Sequence, residues 1–171
     1  MNLEAHPSYA GLLPAQQKPF PKGTNTMTDP GKNAADRLSE LIPPAMPLEV
    51  LGEYGLNVTI PQAQAITKEM IALSAYWIWC ALQAGIPEQF GKTIWQSIKD
   101  HIQQHWESKY GLEEFSFDQF LVEMQTRHSC WEEIERNGGE PITVFSQAAC
   151  DLDDRCIVPQ GNQQYLVALF L

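Results

Sequence analysis

The stretch from Thr59 to Pro87, TIPQAQAITKEMIALSAYWIWCALQAGIP, decides the fold. Thr59-Ile60-Pro61-Gln62 is a capping-box pattern: a hydroxyl and an amide three residues apart can satisfy the N–H groups that open a helix. The segment then stays apolar on nearly every side from Met70 to Leu82, and Gly85 ends it. A helix apolar all round must be covered on several sides. A membrane span needs about 20 consecutive apolar residues. Met70–Ile86 falls short of that, Lys68 and Glu69 precede it, Gln83 interrupts it and Pro87 follows. The spacing predicts a central helix buried in protein.

Downstream, a second long helix is expected from Pro87 to Lys109, closed by Gly111. Ser116-Phe117-Asp118-Gln119 is a second capping box, and it opens a third helix that should run to Asn137, where Gly138-Gly139 supply a left-handed stop. Short links between long helices predict antiparallel neighbours. Past Gly139, Ile142, Phe145, Ala149 and Leu152 fit a short helix over Pro141–Leu152, although Ile142–Phe145 also fits a strand. Arg155–Val158 and Tyr165–Leu171 flank Pro159-Gln160-Gly161-Asn162, which reads as a β-hairpin with a polar turn.

Upstream, Thr28-Asp29-Pro30 opens a short helix that Pro43-Pro44 stop after Ile42, and a second short helix fits Pro47–Tyr54 before Gly55. Nine of the twelve prolines fall within the first 61 residues. Residues 1–29 show little periodicity and read as an extended or flexible arm, with Met27 an alternative start. The expected fold class is therefore mainly α. It is an antiparallel bundle of three long helices with short N-terminal helices and a small C-terminal β-hairpin, forming one domain over residues 30–171 without internal repeats.

With 44% apolar residues, five Trp and seven Phe, the chain can bury a full core. Cys80, Cys130, Cys150 and Cys156 lack the close pairing of a disulfide framework, and no apolar run in residues 1–30 forms a secretory signal. A soluble protein of the cytoplasm, with reduced thiols, is expected. The net charge of −10 is uneven: residues 113–171 hold eleven acidic and three basic side chains. That excess disfavours direct contact with nucleic-acid phosphates and favours a partner with a basic surface.

The least ordinary feature is a set of histidines on apolar faces. At about 100° per residue, His101 and His105 fall within the stripe of Phe90, Ile94, Ile98 and Ile102, and His128 falls within that of Phe117, Phe120, Leu121, Met124 and Trp131. If the second and third long helices pair through the Tyr110–Phe115 link, His128 lies level with Ile98 and His101 about 4.5 Å further along the axis, so that the rings of His101 and His128 can meet. Three imidazoles, two of them four residues apart, are a geometry for zinc or another divalent ion with one position open. Ile102 follows the first histidine, so the glutamate base of the HExxH metalloproteases is missing. Glu135 shares the arc of the third helix but is not clearly placed as a fourth ligand. The alternative is a set of neutral core histidines, hydrogen-bonded to backbone, Ser97, Gln104 or Tyr110.

The chain has no phosphate-binding glycine loop, no GxSxG elbow and no nucleotide fingerprint. Cys130 lies about 140° from its helix's apolar centre with nothing to lower its thiol pKa. Cys150 and Cys156 bracket an acidic segment whose spacing suits neither zinc nor calcium. Two functions remain. The first is a non-enzymatic protein-binding module without cofactor, of the inhibitor, immunity or antitoxin, or assembly-subunit type. It would engage its partner through Glu132, Glu133, Asp151, Asp153, Asp154, Trp95 and Trp106. The second is a metal-dependent or small-ligand-binding helical enzyme using His101, His105 and His128.

Overall fold

Residues 30–159 and 161–171 are described by a computed structural model, so the arm expected over residues 1–29 lies outside the described residues. The helices, in chain order, are α1 (Pro30–Ser39), α2 (Leu48–Glu53), α3 (Ile60–Gly85), α4 (Glu88–Gln104), α5 (Phe117–Arg136), α6 (Pro141–Asp154) and α7 (Gln163–Phe170). α3 is the hub, and α2, α4, α5 and α6 all pack on it. Its first turn carries the expected capping box, Thr59 facing the Gln62 backbone and the Gln62 side chain facing that of Thr59. The Thr59 N–H donates to Gln62 Oε1 at 2.8 Å, and the Thr59 hydroxyl donates to the same oxygen at 2.9 Å. α5 is capped by its serine, with the Gln119 N–H donating to Ser116 Oγ at 3.3 Å.

Two apolar clusters hold the helices together. The larger gathers Ile71, Tyr76 and Ile78 of α3, Ile94, Ile98 and Ile102 of α4, and Phe120, Met124 and Trp131 of α5. The smaller joins Leu51 and Leu56 around α2, Ala63 and Ile66 at the start of α3, Ala149 and Leu152 of α6, and Leu166 and Leu169 of α7. No described helix is long and apolar enough to cross a membrane. The stop after α5 depends on close approach: a Cβ at Gly139 would meet Ile134 Cγ2 at 2.5 Å, and Gly138 takes φ +83°.

The expected β-hairpin is wrong. No strand occurs among the described residues, and the segment read as its second arm is α7. Leu166 and Leu169, three apart, are the buried positions there, whereas a strand would bury residues two apart. The segment read as the first arm leaves α6 in a tight turn, with Cys156 at φ +53°, a conformation no strand adopts.

α4 also stops earlier than expected. The His105 N–H is shared between the carbonyls of His101 and Ile102, and residues 105–110 continue as turns. Trp106 swings inward, its indole N–H donating to the Phe115 carbonyl at 2.8 Å. The linker is pinned to α3 by Gln64 Nε2, which donates to the Gly111 carbonyl at 2.8 Å. A larger difference concerns partners. α4 packs most extensively along α1 and also on α3, and it meets α5 through side chains of the shared core. Two aromatic side chains, Trp95 and His128, span the space between α4 and α5, with ring centres 6.2 Å apart.

Candidate functional site

The site lies at the surface where α3, α4 and α5 come together. Trp77 and Trp79, two residues apart on α3, leave the helix in different directions. Trp77 meets Phe145 of α6 at 5.8 Å between ring centres, and Trp79 meets Trp95 of α4 at 5.4 Å. With both Trp79 and Trp95 half-buried, they form one wall of an open groove of about 550 Å³. Val122, two-thirds exposed on α5, faces the same groove, His128 lies in its lining, and Lys99 and Glu132 add charge.

Two neighbouring depressions share these residues. Trp79 also lines an apolar hollow of about 290 Å³ with Leu82, Ile86 and Gly91. Glu132 also borders a shallower, more polar depression with Gln83, Glu135 and Arg136. Gln83 belongs to both hollows, so the three concavities surround the C-terminal half of α3.

His128 is buried, and Nε2 stands 3.1 Å from the Ala72 carbonyl. A carbonyl only accepts, so Nε2 carries the proton and Nδ1 keeps the lone pair. Burial pushes the pKa down to about 4, with Arg127 adding to the fall and the Ala72 hydrogen bond opposing it. The ring is neutral at physiological pH and too weak a base to take a proton efficiently there. Its edge contacts Tyr76 at 5.2 Å, and the Tyr76 hydroxyl donates to Glu135 Oε2 at 2.8 Å.

His101 and His105 lie elsewhere. Their rings stack at 4.2 Å, and His105 Nδ1 is 2.9 Å from the His101 carbonyl. Burial holds His101 below its ordinary value, as do His105 and Lys109, while Asp36 of α1 opposes them. The pair thus sits where α1 meets α4, and His128 sits against α3. Among the described residues no group of three or more His, Cys, Asp or Glu side chains is placed to hold a metal ion.

The acidic residues singled out from sequence are divided. Glu132 lies at the groove and Glu133 beside it is exposed. Asp153 and Asp154 line a separate depression with Gln62 and Cys156, and Asp151 accepts from Gln147 Nε2 at 2.8 Å. Trp95 lines the groove, but Trp106 is buried against Phe117 and Phe120 and offers no free face.

Sequence reasoning missed two features. Trp79 was discoverable as the partner of Trp77 on another face of an all-apolar helix. Glu69 was discoverable as an acid about two and a half turns inside that helix; it is fully buried beside Arg127 of α5 and Arg155 at the end of α6.

No family model, curated protein or solved structure matches this chain. Function must therefore be argued from the site.

Proposed function

We propose that the protein is a non-enzymatic protein-binding module whose partner docks in the groove between Trp79, Trp95 and α5. The observation that carries this reading is the pairing of two half-buried tryptophans with an exposed Val122 across an open concavity. Large aromatic side chains with one face free supply contact area at small entropic cost, which is why they anchor interfaces. Glu132 at the groove and Glu133 beside it suit a partner that sets a lysine or arginine next to an apolar anchor. The acidic excess of residues 113–171 attracts such a surface at longer range.

In this reading the partner is a protein with a basic surface, and the module acts as an inhibitor, an immunity or antitoxin-type protein, or an assembly subunit. We place the exchange in the cytoplasm, a reading supported by the four unpaired thiols.

The test is affinity capture from the native host with the wild-type protein and Val122→Asp in parallel. Val122 is exposed, so the variant keeps the fold while placing a charge in the groove. A protein held by the wild type, weakened by salt and lost from the variant is the expected result. Identical capture by both proteins would remove the groove from the interface.

A further inference from the structure

Glu69 lies inside α3 between Ile66 and Ile71, and its side chain is fully buried. Arg127 Nε of α5 stands 2.9 Å from Glu69 Oε2, and Arg155 at the α6 C-cap reaches the same oxygen at 3.8 Å. Neither carboxylate oxygen accepts an aligned hydrogen bond from a described residue. The carboxylate is therefore held by charge alone, which is costly for an ion removed from water.

The surrounding charges are balanced around it. Lys68 of α3 pairs with Glu123 of α5 at 3.0 Å, and Arg127 also reaches Glu123 at 3.5 Å. Asp151 of α6 is the remaining acid acting on Glu69. With Glu69 ionised, three cations (Lys68, Arg127 and Arg155) face three anions (Glu69, Glu123 and Asp151). One added proton leaves the cluster with a surplus positive charge. Arg127 then still has Glu123, whereas Arg155 loses the one carboxylate within 4.0 Å of it among the described residues.

We propose that Glu69 is a proton-operated latch: ionised, it clamps Arg155 and so fastens the α6–α7 end of the chain to α3 and α5, and protonated, it lets Arg155 go. This device is separate from the groove and stands whether or not the groove binds a partner. Arg155 is exposed and begins the turn in which Cys156 adopts φ +53°, a conformation that a β-carbon disfavours. Local opening is expected at such a place once its tether is gone.

The chemistry puts the switch in a useful range. Burial pushes the Glu69 carboxyl up to about 7, and Asp151 adds to the rise, while Arg127, Arg155 and Lys68 pull it down without overcoming burial. His128 titrates well below this range, and burial raises the Cys130 thiol. His101 and His105 sit at the α1–α4 junction, and a Glu69 variant subtracts their contribution.

The experiment is amide hydrogen exchange on the full chain at pH 6 and pH 8, corrected for intrinsic exchange. The wild type should lose protection several-fold at pH 6 in residues 152–158, and Glu69→Gln should show the low protection at both pH values. Wild-type protection that ignores pH, or a Gln variant that responds as the wild type does, overturns the latch. Should Glu69→Gln fail to fold, two measurements decide. Arg155→Gln, at an exposed position, should lose the protection at pH 8. Carboxyl NMR of the wild type should place the Glu69 titration between pH 6 and 8, and a midpoint near 4 overturns the proposal.

Discussion

Two buried residues one helix apart respond to acid in opposite directions. Glu69 has a folded pKa of about 7 against an ordinary 4.5, so the folded chain binds the proton first and gains stability as pH falls from 7 to 4.5. His128 has a folded pKa of about 4 against 6.5, so the unfolded chain binds the proton first and stability falls as pH drops from 6.5 to 4. Each full shift corresponds to roughly 3 kcal/mol. The two slopes oppose each other between pH 4.5 and 6.5 and nearly cancel. Relative to wild type, Glu69→Gln should therefore lose stability on acidification across that window, and His128→Gln, whose amide can still donate to Ala72, should gain it. Urea midpoints at three pH values read this directly, and slopes of the same sign in both variants would disprove the assignment. The fall at His128 was legible in its direction, because an imidazole placed inward on a helical wheel is held neutral by burial. The rise at Glu69 was not, because the wheel does not show how deeply the facing helices bury that carboxylate.

At the scale of elements, α3 and α5 were legible because capping residues, apolar periodicity and glycine stops agreed along each, whereas α4, without a capping residue, was read about five residues too long. The predicted start of α3 at Thr59 and end near Ala84 differ from the structure by one residue. The C-terminus was misread because Tyr165–Leu171 is apolar and brief, and a brief apolar run has no distinct period. The α7 assignment makes a sharp prediction. Leu169 is buried against Leu152 and Leu166, and Ala168 is exposed. Leu169→Asp should destabilise the protein by several kcal/mol and Ala168→Asp by less than about 0.5. Equal costs, measured by thermal unfolding, would argue against the helix. The histidine grouping failed for a related reason: one stripe on α4 was assigned a single partner. That stripe serves two, Ile94, Ile98 and Ile102 in the main core and His101 with His105 toward α1.

At the scale of the molecule, the separation of the histidines bears on the second functional reading. With His101 and His105 against α1 and His128 bonded to α3, chelator at constant pH should leave the melting temperature within a degree or so. A larger drop would show that a metal gathers these rings. The groove itself was half legible: Trp95 and Glu132 were singled out, but Trp79 was not, because a groove is shaped by how three helices lie together. That arrangement leaves no mark on any one of them.

The smaller apolar cluster has a consequence for synthesis. Leu51, Leu56 and Ile66 are completed by Ala149, Leu152, Leu166 and Leu169, roughly a hundred residues later in the chain. A ribosome making about 5–20 residues per second leaves those early side chains uncovered for several seconds. Through that interval the growing chain has a surface for hydrophobic dyes and for other unfinished chains, and a chaperone has a reason to bind it. A chain cut after Asn137 should keep that surface permanently and precipitate on concentration, while the full chain stays dispersed.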